Sequence, residues 1–302
     1  MSDTNTLENL DFELVETESA WNDCLLALNQ APVVAMDLEA NSLHAYRERI
    51  CLIQFSLPER HYIVDPLAGF DMGGLGVLLA NPAIEKVVHS SDYDLMLLYR
   101  HHGWRIKNLF DTMWAGRILG YKNMGLAWFL QEFYGVTLVK RHQKADWGRR
   151  PLDRDMLIYA NNDTRYLLRL REDLAARIEA AGMTEEMREI FSNLCREHPA
   201  PPVFNPEGFR SVRGASMLEP REQALLRALY IFRDGEARRR NMPPFKIMGD
   251  EALLAIVRRA PKNEKELAAV EGVSPRLLQR YEQPLLAAVR RGAKAAPPPP
   301  PE

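Results

Sequence analysis

Pro32-Val-Val-Ala-Met-Asp37-Leu-Glu39 is the stretch on which the fold turns. A short β-branched and apolar run behind a proline reads as a buried strand. Side chains alternate along a strand, so Asp37 and Glu39 project from one face while Met36 and Leu38 face the other way. Two adjacent carboxylates repel. A core-forming strand accepts them when cations neutralise the pair, because an unpaired buried charge costs several kcal/mol.

Working outward, Ile50–Ser56 and His61–Val64 are two further strand-like runs joined to the first by short polar turns, which predicts an antiparallel meander. Ahead of them, Phe12-Glu-Leu-Val15 reads as an edge strand, followed by a helix carrying Trp21, Leu25, Leu26 and Leu28. Lys86-Val-Val-His-Ser-Ser-Asp-Tyr-Asp94 is a strand running into a helix, where open α/β sheets place functional groups. Pro151 and the acids after it start a long amphipathic helix with Met156, Ala160, Leu167 and Leu174 on its apolar side. Tyr159 and Asp163 lie i, i+4 on that helix and share one face. Hard oxygen donors without clustered histidine or cysteine favour Mg2+ or Mn2+ over zinc.

Together with Ile50-Cys-Leu-Ile-Gln54, His89 five residues before Asp94, Phe110-Asp-Thr112, Asp146-Trp147, Arg150-Pro-Leu152 and Tyr166-Leu167, these groups resemble the DEDDy 3′–5′ exonucleases, ribonuclease D among them. The match rests on order and spacing over about 140 residues. It implies an α/β fold, a ribonuclease H-like mixed sheet flanked by helices. It also implies a 3′–5′ exoribonuclease that uses two divalent ions, Mg2+ or Mn2+, and releases nucleoside 5′-monophosphates from the 3′ ends of structured RNA such as tRNA precursors. By the same resemblance Asp37 bridges both ions, Glu39 and Asp163 complete the first, Asp94 supports the second, and Tyr159 orients the attacking water. A Werner-type DNA exonuclease and a catalytically silent RNA-binding protein are the alternatives.

Several residues admit two readings. Ser91 and Asp94 have capping-box spacing, and Asp92 is a second possible ligand, although the register from His89 favours Asp94. Asp111 before Thr112 reads as a helix N-cap, His89 as a packed strand-end residue, and Gly73-Gly-Leu-Gly76 as a turn. Arg141, Lys144, Arg149 and Arg150 surround Trp147 in a loop where cations could contact phosphates and the indole could stack on a base or anchor the loop.

The chain has 302 residues and a net charge of −2 that hides an asymmetry. Lys plus Arg against Asp plus Glu is 21 against 29 over residues 1–204 and 18 against 12 over 205–302. The second part is therefore the expected phosphate-gripping region, with Arg238, Arg239 and Arg240 as candidates. Its segments Glu219–Pro244, Met248–Leu254 and Lys265–Val273 resemble an HRDC domain, a small helical module. The expected organisation is an exonuclease domain over 1–198, a Pro-rich linker over 199–214, an HRDC domain over 215–294 and a disordered tail over 295–302. Cys24, Cys51 and Cys195 form no CxxC pair, which suits a reducing compartment and excludes a zinc ribbon. With no apolar run near the roughly 20 residues that cross a bilayer, a cytoplasmic chain is expected, working as a monomer on RNA without membrane or small-molecule cofactor.

Overall fold

The computed structural model describes residues 11–138, 141–196 and 203–299. The expected domain boundary at 198, the first residues of the linker and the last three of the tail lie outside them. Two compact units emerge: residues 1–41 with 49–201, and residues 42–48 with 202–302.

The first unit is α/β. Its elements are β1 (Glu13–Val15), α1 (Glu18–Gln30), β2 (Val33–Ala40), β3 (Ile50–Ser56), β4 (His61–Val64), α2 (Gly73–Ala80) and β5 (Glu85–Val88). They continue with α3 (Asp92–His102), β6 (Leu109–Asp111), α4 (Thr112–Ile118), α5 (Leu126–Tyr134), α6 (Arg154–Arg165), α7 (Leu167–Ala180) and α8 (Thr184–Leu194). The six strands form one sheet in the order β1-β4-β3-β2-β5-β6. The meander expected from β2, β3 and β4 is present, both pairs antiparallel, while β2–β5, β5–β6 and β1–β4 are parallel. Strand β2 is therefore bonded on both sides. Leu38 and Met36 face the main core with Trp21, Phe55, Phe110 and Leu170, whereas a second cluster of Cys51, Leu52, Ile63, Trp147, Met156, Leu157 and Ala160 seats α6 over β2, β3 and β4.

Three expectations change. The Gly73–Gly76 stretch is the first turn of α2, not an isolated turn: a Cβ at Gly74 would come within 2.4 Å of Leu25, and one at Gly76 within 2.5 Å of Trp104. The glycines are there for close packing. The long helix after Pro151 divides at Tyr166 into α6 and α7. Residues 206–211, expected as extended linker, form a 3-10 helix that starts at Pro206, is capped by the Asn205 side chain, and buries Phe209 completely. A proline preset for helical φ and an aromatic residue needing cover explain the turn.

The second unit is all-α: α9 (Pro220–Arg240), α10 (Pro244–Ile247), α11 (Asp250–Arg259), α12 (Glu264–Ala268) and α13 (Pro275–Lys294). Helices α9 and α13 pack through Leu225, Leu226, Leu229, Leu285 and Val289, and Gly292 lets them touch, since a Cβ there would lie 2.7 Å from the Leu225 Cα. Residues 295–299 carry no regular element, and the Pro299 carbonyl accepts from Arg210.

The loop that launches α6 is fastened by Arg150. Its Nε and Nη2 donate to Asp65 at 2.5 and 2.7 Å, Nη2 also to the Cys51 carbonyl at 2.7 Å, and Nη1 to the carbonyls of Trp147 and Arg149 at 2.8 and 2.7 Å. All five guanidinium protons are used. Removing one partner of a largely buried charge pair strands the other. Arg150→Met should cost about 3 kcal/mol of unfolding free energy, read as a lowered urea midpoint; an unchanged midpoint would show that the clamp contributes nothing.

Candidate metal centre

Strand β2 delivers the first two carboxylates. Asp37 and Glu39 point to one face, as alternation requires, and Asp163 on α6 meets them there. One oxygen from each of the three lies within 4.8 Å of the others, and all three residues are half-buried. Among the described residues this is where three or more ligating side chains could hold an ion. Asp94, buried in the first turn of α3, stands outside that triplet but within electrostatic reach of Asp37 and Glu39. Asp92 is exposed. Ser91 makes no side-chain cap bond, so the capping-box alternative for Asp94 is not formed.

Crowding marks the electrostatics. Burial pushes the Asp37 carboxyl up to about 7, with the Leu38 backbone N–H pulling it partly back. Glu39 rises to about 10 through burial and then the charges of Asp37, Asp163 and Asp94. Asp94 is raised by burial, Asp37 and Asp111. Asp163 is raised by burial and Asp37, opposed by a hydrogen bond that the Tyr159 hydroxyl donates. Tyr159 itself is held protonated, by burial first and then by the neighbouring acids. Buried oxygen donors crowded in this way suit hard divalent cations, whose charge offsets the repulsion between the carboxylates.

Of the expected substrate contacts, Arg141 shares a cavity with two of the expected site residues. With His142, Leu138, Ile158 and Asn162 it lines a cavity of about 260 Å³ that reaches Tyr159 and Asp163. The His142 ring stands edge-on to Tyr159 at 5.9 Å. Lys144 is exposed in the same turn but does not line that cavity. Two expected substrate contacts are corrected. Trp147 is 1% exposed inside the cluster beneath α6, so it anchors the loop and has no free face for a base. Arg150 spends its donors on Asp65 and three carbonyls. Arg238, Arg239 and Arg240, in the helical unit, are paired with Asp234 and Glu236.

For two residues the sequence reading missed part of their role. Asp111 caps α4, as expected, accepting from Met113 and Trp114; it also accepts from the Ser90 and Ser91 amides at 3.1 and 2.7 Å and so fixes the turn from which α3 presents Asp94. Gln54 sits directly across from Asp37 on β3, fully buried, with neither amide atom hydrogen-bonded. Its place beside Asp37 follows from register, which the spacing of acids does not reveal. His89 is a packed residue, bonded to Thr112 at 2.8 Å and edge-on to Phe129.

Comparison with known proteins places this geometry. A family profile described as 3′-5′ exonuclease matches residues 12–179, and an HRDC domain profile matches residues 222–289. Ribonuclease D of Pseudomonas paraeruginosa is 31% identical over 275 residues, covering 90% of this chain and 72% of that protein. The exosome complex component 10 homolog of Caenorhabditis elegans is 33% identical over 266 residues; these are 85% of this chain but only 30% of the worm protein. The crystal structure of the catalytic core of RRP6 from Trypanosoma brucei superposes with a TM-score of 0.85 at 27% identity, covering 95% of this chain and 80% of that one.

The raised carboxyls have a consequence for stability. Asp37 holds its proton to about pH 7 when folded but releases it near its ordinary value of 3.8 when unfolded. Between these values the folded state binds more protons, so stability falls as pH rises. Without divalent ions the chain should lose on the order of 3 kcal/mol between about pH 4 and pH 7, seen as a falling melting temperature. Asp37→Asn should flatten that slope, and Mn2+ should restore stability most at the upper end; a flat profile in EDTA would refute the repulsion.

Proposed function

Because the chain belongs to the 3′-5′ exonuclease family and carries an HRDC domain behind the nuclease unit, we propose that it is a ribonuclease D-like exoribonuclease that trims the 3′ ends of structured RNA such as tRNA precursors. The observation that carries this reading is the convergence of Asp37, Glu39 and Asp163 within 4.8 Å, with Asp94 in electrostatic reach. These four would hold two divalent ions, Mg2+ or Mn2+. When bound, such ions lower the pKa of water and stabilise a leaving oxygen.

The chain's own groups supply orientation. Tyr159 keeps its proton and donates it to Asp163, so toward a water entering the space beside it the phenol oxygen is an acceptor. Water adds to the terminal phosphorus, the P–O3′ bond breaks, and a nucleoside 5′-monophosphate leaves behind a new 3′ hydroxyl. Arg141, at the cavity rim, is placed to meet a phosphate of the departing nucleotide. The basic helical unit adds sequence-independent attraction for the RNA backbone. No described helix is long and apolar enough to cross a membrane, which is compatible with work in the cytoplasm.

On 5′-labelled RNA with Mg2+ or Mn2+, single-nucleotide ladders from the 3′ end are expected, and EDTA should abolish them; a parallel DNA substrate ranks the two nucleic acids. Asp37→Asn should lower kcat by roughly a thousandfold, the scale of lost transition-state stabilisation by a metal. Tyr159→Phe should lower kcat more than it raises KM. Full turnover by Asp37→Asn would overturn the assignment.

A further inference from the structure

Of the arginines expected to grip phosphates, one is committed within the fold and three carry ion pairs. Arg150 is spent on Asp65 and carbonyls, and Arg238 to Arg240 face Asp234 and Glu236. In the first unit, cations gather elsewhere. A groove of about 790 Å³ lies beside β6, the edge strand, between that strand's approach and α8. Arg105, Lys107, Arg171, Arg188 and Arg196 line it, against Glu85 as the one carboxylate among the described lining residues. Five cations to one acid is a sharp local reversal in a region whose overall count is 21 basic to 29 acidic residues.

The pairing sharpens it further. Glu85 is already held in a fork by Arg171 at 2.6 and 3.1 Å, and Arg188 is paired with Glu185. The Arg105 guanidinium lies over the Tyr99 ring at 5.2 Å and has no ion pair among the described residues. Among the described residues Lys107 and Arg196 are exposed and have no carboxylate partner. The floor is Leu109, Phe110 and Phe191, all buried, the two rings packed edge-on at 5.2 Å. Among the described lining residues no ring face is offered for base stacking. The groove presents charge, so its ligand is a phosphate backbone read without regard to sequence.

Position separates this surface from the carboxylates. Glu85 and Leu109 begin β5 and β6, whereas Asp37 and Glu39 lie in the second half of β2, parallel to β5, and Asp94 follows the far end of β5. At about 3.3 Å per residue, the length of β5 alone puts the two about 13 Å apart or more. We propose that the groove is a second RNA-binding surface, which holds backbone phosphates upstream of the 3′ end engaged at the carboxylates. This rests on the exoribonuclease reading given above. A long RNA reaches both places, and a trinucleotide only one.

The test is the full chain with Arg105→Glu, Lys107→Glu and Arg196→Glu together, compared with wild type and with the charge-keeping Arg105→Lys, Lys107→Arg, Arg196→Lys variant. Circular dichroism and melting should match in all three. For a long single-stranded RNA, the charge-reversed variant should bind about tenfold more weakly at low salt, and its log K against log salt slope should shrink by about 2, the value for three lost phosphate contacts. The charge-keeping variant should bind as wild type. Hydrolysis of a trinucleotide should be unchanged throughout. Wild-type affinity and slope in the charge-reversed variant would overturn the proposal, as would equal losses on the trinucleotide and the long RNA. Loss of poly-glutamate binding with RNA binding intact would assign the groove to an acidic protein instead and equally reject it. If wild type cleaves neither RNA with Mg2+ or Mn2+, the exoribonuclease reading fails, while the affinity comparison still decides the groove.

Discussion

Three carboxylates held within 4.8 Å repel one another, and the first unit is organised to keep them together despite that. Two stand on an interior strand, β2, bonded to β3 on one side and β5 on the other. The third arrives on α6, whose placement is over-determined: Arg150 fastens the preceding loop to Asp65 and Cys51, Trp147 plugs the space beneath, and Thr164 bonds Ser56 at 2.8 Å in the sheet below. Packing opposes repulsion. A cation that relieves the repulsion therefore also strengthens the fold, because ligand binding to the native state and stability are linked.

Charge is distributed with the same economy. Acids converge at the end of β2, Arg150 in the loop before α6 is tied into the structure, and a cation-rich groove lies at the other end of the sheet. Separation matters physically. Free arginines beside the carboxylates would pair with them, lowering their affinity for divalent ions, whereas cations a strand length away can attract a polyanion without competing for the ligands.

Much of this was legible in the chain. Alternation put Asp37 and Glu39 on one face, turn lengths gave the antiparallel meander, and the i, i+4 spacing put Tyr159 above Asp163; each is a local rule. What failed depended on contacts across the chain. Arg150 and Trp147 occupy a polar, basic loop that looks the same whether its side chains face RNA or the interior, and only the position of Asp65 and the cluster under α6 decides. The glycines of α2 read as breakers because their partners, Leu25 and Trp104, are distant in sequence. Asp111 was recognised as a cap, but its hold on Ser90 and Ser91 crosses from β6 to the start of α3. The Phe209 turn hid within a proline-rich composition that usually signals an extended segment.

One further feature bears on how the protein can be taken apart. Residues 42–48, which connect β2 to β3, belong to the helical unit: Tyr46 donates to Asp234 at 2.7 Å and packs on its core, and Asn241 accepts from the Arg47 amide at 3.0 Å. The polypeptide thus passes between the units three times, near 41, 48 and 201. Genetic borders and physical borders disagree. A fragment ending at 201 would carry an orphaned heptapeptide stripped of its companions, and a fragment starting at 202 would lack a piece of its own packing. Modular exchange of the helical part among relatives would have to transplant that heptapeptide as well.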